Sequence, residues 1–586
     1  MRNAGLDFNS LKMRKGLCTL FLFLVSFSAS FAQGKIVTVK AMMSGADATR
    51  SVVQALNNCR DLNAKKLVFE KGRYEFSSQF ASEKYVYTSN NDHGLKSIVF
   101  DLSGMHDLEI DGQGSQFIFH GYVSPFLLDS TKNIKISNLS IDYSRTFHSE
   151  GRIIRAYQDS LDLAFSPDYP YKVENKRLVF LDDKKTEYPF GHLLEFNTSK
   201  REIAYMALDY INGVDKLAVK ELGNNGVRIY LKDLKGTVGN TLIFNAKNRL
   251  VPAFAISNSK GIEIKNVTIF HAGGMGVIAQ RSKDILLDGL KVIAQKGRMV
   301  SLTADATHFV NCAGKITIQN CILENQMDDA GNIHGVYAKI EKILAPDRIL
   351  LKQAHFQQLG LDFLVKGSNI EFVTPADLAT YAQGTVKDIE RLNKEYLIVN
   401  LNKPLSQSVK EGDIIGSLDD NPDLVIRNCT VQKNRARGFL LGTRGKVLVE
   451  NNYYHTWWGA IDFYANGVDW FEQGGVRDVT IRNNVFDNCN FGLNVGLGVI
   501  IVLANIQENP AHKTYYNKNI LIENNKFRIY NPTILSMKSV DGLVFRNNTV
   551  ERNNEYKLVP WFATQKLEPF VLSNSINLKL QPLQDK

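Results

Sequence analysis

The 586-residue sequence predicts an all-β fold: a right-handed parallel β-helix solenoid with two inserted antiparallel β-barrel or β-sandwich domains. Three observations predict it. A short motif recurs, made of alternating apolar residues, then Asn or Gly, then apolar residues again. It runs from "NIKISNLSI" (133–141) through "GIEIKNVTI" (261–269), "KITIQNCIL" (315–323) and "DVTIRNNVF" (478–486) to "GLVFRNNTV" (542–550). Its third apolar position falls at Ile264, Leu287, Ile318, Ile426, Val449, Ile481, Ile522 and Phe545, so the steps are 23, 31, 108, 23, 32, 41 and 23 residues. Finally, the motif vanishes over 146–250 and 336–420. A basic period of 23 with insertions is the mark of stacked coils, and period-two alternation makes each unit a strand rather than a helix.

Taken in order, residues 1–32 read as a secretory signal peptide. Lys12, Arg14 and Lys15 precede the apolar run "LCTLFLFLVSFSASFA", which ends in small residues at Ser30 and Ala32. Export to the periplasm or the medium is therefore expected. Residues 33–145 hold the N-terminal cap and first coils. Here "SGADATRSVVQALNNCRDLNAKKLVFEKGRYEF" (44–76) places an amphipathic helix over Ala48–Asn58 before a strand. Such a cap hides the first coil, which cannot bury its own apolar face. Residues 146–250 form the first insertion, with the strand-like runs "RLVFL", "EIAYMAL", "GVRIYL" and "GNTLIFN". Coils resume over 251–335. Residues 336–420 form the second insertion, where "DRILLKQ", "EYLIVNL" and "SVKEGDIIG" suggest a small antiparallel barrel. Coils and a tail occupy 421–586. The recurrent Asn suits tight corners, since it tolerates left-handed backbone and can hydrogen-bond to its counterpart one coil away.

The net charge is +10, or +7 once the leader's net +3 (four basic residues, one acidic) is subtracted. The charges are scattered, without the basic tract of a nucleic-acid binder. No later apolar stretch is long enough to span a membrane. Five cysteines follow the leader, Cys59, Cys312, Cys321, Cys429 and Cys489. Their odd number and wide spacing argue against a disulfide framework, so buried thiols are expected, with Cys321 and Cys429 at the same repeat position.

The chemistry gathers in "TAD" (303–305) and "MDDAGNIHG" (327–335). Asp305 and Asp328 are 23 residues apart, one period, so neighbouring coils should present Asp305, Asp328 and Asp329 on one face, with His308 and His334 close by. Crowded carboxylates split their pKa values, and a protonated acid beside an ionised base is what glycosidic hydrolysis requires. A solvated turn and a calcium site are the rival readings of the same residues. Further on, "RARGFLLGTRG" (435–445) and "HTWWGAIDFYANGVDWFEQGG" (455–475) supply Arg437, Arg444, Trp457, Trp458, Asp462, Tyr464 and Glu472. Aromatic faces stack on sugar rings and charged groups bind hydroxyls, so these are candidate substrate-binding residues. The adjacent Trp457 and Trp458, read as strand residues, should face opposite sides.

Together, "TAD", "MDDAGNIHG", "GFLLGTRG" and "WWGAIDF" resemble the bacterial α-1,3-galactosidases of glycoside hydrolase family 110, over essentially the whole chain after the leader. The layout is also similar to the wider polygalacturonase-like β-helix hydrolases, except that Ala304 stands where those have Asn in "NTD", and their Arg-x-Lys motif is missing. The resemblance implies removal of terminal α-1,3-linked galactose from blood-group-B-like and linear α-Gal glycans, with inversion, no cofactor and no metal. Carried onto this sequence, the catalytic carboxylates are Asp305, Asp328 and Asp329, with acid and base unassigned. The competing readings are a non-catalytic glycan-binding solenoid and a polygalacturonase-like or lyase-like enzyme. The inserted domains are candidates for a homodimer interface or for shaping the pocket.

Overall fold

A computed structural model describes residues 34–492, 497–504, 515–558 and 567–585, apart from Ser44 and Asn224. The expected leader lies outside them. Coil follows coil in parallel register. Leu67, Ile110, Ile136, Ile264, Leu287, Ile318, Ile426, Val449, Ile481, Ile522, Phe545 and Leu580 stand one above the next. This column contains every anchor position of the sequence motif. It continues across the 108-residue step, where Ile318 pairs with Ile426 directly.

Asparagine turns the corner of each coil. Two residues after the anchor, Asn138, Asn266, Asn320, Asn428, Asn451, Asn483, Asn524 and Asn547 all have φ between 52° and 57°. Gly289 takes that place at φ 70°. A residue with a Cβ is strained there unless, like Asn, it can bond locally. The next position faces inward. Asn452, Asn484, Asn525 and Asn548 form a buried ladder in which each amide donates to the Oδ1 of the next at 2.9–3.0 Å. Asn484 uses all four of its hydrogen-bonding sites, because Oδ1 also accepts from Asn452 N and Nδ2 also donates to Val449 O. Cys321 and Cys429 occupy this same position in the two preceding coils, and Asn452 Oδ1 accepts from the Cys429 amide. All five cysteines of the described residues are free and buried. Aromatic stacks extend along the interior, among them Phe126 on Phe254 and Tyr454 on Phe486 on Phe527, 4.7–5.2 Å apart and nearly parallel.

The cap helix spans Thr49–Leu62, one turn beyond the expected Asn58. Val52, Ala55, Leu56 and Cys59 are buried, and Asn63 closes the helix in the left-handed conformation. The extra turn was hidden in the sequence because Arg60 and Asp61 lie on its exposed face.

Two antiparallel bodies leave the solenoid. Seven strands between Ser149–Tyr157 and Thr241–Ala246 form one sheet, with a three-stranded sheet beside it. The strand Gly331–Ala345 then runs out of a coil into a second body. There it pairs with Arg348–Lys352 and Ile414–Ser417, and the pairings close through Tyr396–Leu401, Thr380–Arg391 and Asn369–Val373 into a six-stranded barrel. The first body borders a cavity on the solenoid's flank, through Ile211 and Arg249.

Candidate active site

The cavity has a volume of about 440 Å³ and is lined by four carboxylates, Asp305, Asp328, Asp329 and Glu472. Two clefts elsewhere are larger, at about 510 and 520 Å³, but they hold only Glu150 with Asp168 and Asp419, respectively. The chemistry therefore lies in the smaller space.

Solenoid register positions the first groups. Thr307, Gly331 and Phe439 stack in one column, so Asp305, Asp329 and Arg437 stack two residues upstream. The links between them are Ala306 N to Asp329 O at 2.9 Å and Ala330 N to Arg437 O at 3.1 Å. The 23-residue period had placed Asp328, not Asp329, on Asp305. The true offset is 24, because the coil's extra residues all fall in the loop between Val292 and Thr307. Gly331 keeps the column tight, as an ideal Cβ there would lie 2.6 Å from the Phe439 ring.

Each aspartate has cationic or imidazole partners. Asp329 accepts from Arg437 N, Nε and Nη2 at 2.8–2.9 Å. Asp328 accepts from Arg249 Nη2 at 2.6 Å and Arg435 Nη1 at 3.3 Å. Arg249 also lies 4.0 Å from Asp305, whose Oδ2 meets His308 Nδ1 at 2.7 Å. Burial, helped by the charge of Asp328, pushes Asp305 up to about 8. Burial also pushes on Asp328, but Arg249, Arg435 and Arg437 outweigh it and hold that carboxyl below its ordinary value. Asp329 rises to about 7, burial winning over Arg437. A carboxylic acid and a carboxylate thus face one space at neutral pH. The guanidiniums occupy the carboxylate oxygens that a divalent cation would need, and among the described residues no metal-holding group of His, Cys, Asp and Glu is found.

Of the expected binding residues, His308, Arg437, Trp458, Tyr464 and Glu472 line the cavity. Trp458 lies under the Arg437 guanidinium, 5.5 Å from its ring centre. His334 sits behind His308, bonded to it at 2.9 Å. Asp462 is buried one coil beyond Arg437 and raised to about 7 by burial. Two expectations need correction. Trp457 has no exposure and packs among Met327, Phe491 and Tyr530. It precedes the strand Ile461–Ala465 in a bend, so its ring lies nearly parallel to that of Trp458 instead of facing away. Arg444 is claimed by Glu371 of the inserted barrel through two bonds of 2.8–2.9 Å and does not reach the cavity. His455, too, is turned away, toward Glu202.

Sequence reasoning missed several residues. Arg249 and Ile211 come from the end and middle of the first insertion, and Asn90 comes from the cap region. Asp209 and His192, in that same insertion, lie in close contact, His192 Nε2 against Asp209 Oδ1, and Asp209 accepts from Arg435 Nε at 2.8 Å. No local pattern marks these residues, since only the folded insertion brings them to the solenoid.

Comparison with known proteins follows the same architecture. Family models match residues 149–242 as GLAA-B beta-barrel domain I, 348–415 as GLAA-B beta-barrel domain II and 414–568 as a right-handed beta helix region. An alpha-1,3-galactosidase A of Shewanella woodyi is 35% identical over 88% of this chain and 84% of its own. An alpha-1,3-galactosidase B of Bacteroides thetaiotaomicron is 32% identical over 90% and 88%. Among solved structures, PfbA, a surface adhesin of Streptococcus pneumoniae, aligns over 92% of this chain and 88% of its own with a TM-score of 0.39 and 12% identity, a likeness too loose to bear on function. With both GLAA-B barrels matched and relatives above 30% identity aligned along most of their length, this chain belongs to the α-1,3-galactosidase family of glycoside hydrolases.

Proposed function

We propose that the protein is an exo-acting, inverting α-1,3-galactosidase that releases terminal α-1,3-linked galactose from blood-group-B-like and linear α-Gal glycans outside the cell. The observation that carries this reading is the pair of neighbouring carboxyls whose protons are driven opposite ways, Asp305 up and Asp328 down. Asp305 protonates the leaving oxygen. Asp328, ionised, takes a proton from the water that attacks the anomeric carbon from the other face. Arg437, fixed on Asp329 and stacked over Trp458, holds sugar hydroxyls. The half-exposed Trp470 and Ile211 at the mouth give the departing sugar an apolar surface.

A proton NMR time course on an α-1,3-galactosyl disaccharide tests it. β-Galactose should appear first, with Asp328→Asn inactive. First appearance of α-galactose would exclude inversion. No release from linear or fucose-branched substrates, with binding kept, would favour a glycan-binding solenoid instead.

A further inference from the structure

The turn from Asn466 to Glu472 walls one side of the cavity. It presents two side chains there, Trp470 at the mouth, 42% exposed, and the buried Glu472. Between them Phe471 stands at φ 53°. A bulky residue is strained in left-handed backbone and stays there where its surroundings hold it.

The second insertion does the holding, although none of its described residues lines the cavity. The Phe471 ring lies in one buried cluster with Tyr337, Val373, Leu378 and Ile414 of that barrel. Phe471 O accepts from Tyr337 N at 2.8 Å. Gln358, with no exposure, donates from Nε2 to Trp470 O at 2.9 Å and to Phe471 O at 3.4 Å. One buried amide thus grips both carbonyls around the strained residue. Beside it, the His355 ring lies 4.6 Å from the Trp470 ring.

Other contacts play different parts. Asn466 Oδ1 accepts from the amides of Val468, Asp469 and Trp470 at 2.7–3.2 Å, which closes the turn from within. That fixes the turn's shape, whereas the barrel contacts fix where it lies over the cavity. Glu472 has its own anchorage. It pairs with Val336, and its neighbour Gln473 donates to Glu371 Oε1 and Ser417 O at 2.7 and 2.8 Å. Loss of Gln358 therefore frees Trp470 first.

We propose that Gln358 and Phe471 are positioning residues for the cavity mouth. Through them the second barrel fixes the Trp470 ring, and so sets how well the sugar on the reducing side of the cleaved bond is held. This rests on the reading of Trp470 as a surface for that departing sugar. Neither residue lines the cavity, and at 0% and 9% exposure neither touches substrate.

The test uses the full chain and two substrates. An α-1,3-galactosyl disaccharide carries a sugar on the reducing side; α-galactosyl fluoride carries none. Gln358→Met keeps the length of the side chain but donates no hydrogen bond. It should lower kcat/KM on the disaccharide about fivefold or more, mainly through KM, and change the fluoride less than about twofold. In a Trp470→Ala background the same substitution should add no further loss on the disaccharide. A merely structural role would lower both substrates together, or add its loss to that of Trp470→Ala, and either result overturns the inference. If a melting curve shows Gln358→Met unfolded, Phe471→Leu, a smaller plug in the barrel, is read in the same way. If Trp470→Ala itself spares the disaccharide, the reading of Trp470 fails first and the inference with it. If Trp470→Ala weakens the disaccharide but Gln358→Met and Phe471→Leu leave it at the wild-type value, the inference fails alone.

Discussion

Asp305 and Asp328 share Arg249, yet one binds its proton above neutrality and the other gives it up below the usual aspartate range. The difference follows from their partners. Asp305 has a neutral imidazole and a guanidinium 4.0 Å away, whereas Asp328 has guanidiniums at 2.6 and 3.3 Å. The sign of the pH dependence follows. Activity needs Asp305 protonated, so it is present below about 8 and lost as pH rises through that value. It also needs Asp328 ionised, so the acidic limb should lie below the ordinary aspartate value of about 3.9. A kcat/KM profile checks both limbs. Asp305→Asn should lower kcat/KM on the disaccharide by about 10² to 10⁴ and cost far less on α-galactosyl fluoride. Arg437→Lys loses the forked grip on Asp329, so KM should rise with the fold intact. The aspartates were legible in the sequence because they sit near one period apart in a rigid repeat. Their exact stacking was not, since one loop of unequal length takes the offset from 31 at Val292–Leu323 to 24 at Thr307–Gly331, one more than the basic period.

At the scale of single elements, each coil is held by its corner and by the residue after it. Asn484 satisfies four buried hydrogen-bonding groups across three coils. Asn484→Ala leaves partners unmet on both sides and should cost about 2–4 kcal/mol, seen as a lower melting temperature in calorimetry. By contrast, the corner residue Asn483 needs only its left-handed backbone, at φ 56°. Asn483→Gly should therefore be nearly neutral, and Asn483→Val clearly destabilising. These rungs were readable because one residue type recurs at one position. Trp457 was misread because "HTWWGA" was taken as strand, while the chain bends there and buries the ring.

Across the whole molecule, the site is a joint product of the solenoid and its first insertion. The first insertion supplies Arg249 to the cavity and Asp209 to hold Arg435 from behind. Asp209→Ala touches no lining residue of the cavity except through that arginine. It should still lower kcat/KM about tenfold or more at temperatures where the variant stays folded, because a small misplacement near the reacting groups is costly. Kinetics paired with a melting curve separate this from plain destabilisation. The sequence announced the insertions by the loss of the repeat but gave no sign of what they reach. The second insertion also bears on how the chain assembles. Ile318 finds its partner Ile426 across a 108-residue step, against 23 for ordinary coils. Closing that longer loop costs roughly 1.4 kcal/mol more in chain entropy. The six-stranded barrel shortens the detour, because its own pairing of Tyr337 with Gly416 brings the two ends together. Growth of the solenoid should therefore pause after the coil that ends near Gly335 and resume only when the barrel has closed, making this small body the gatekeeper of folding for everything that follows it.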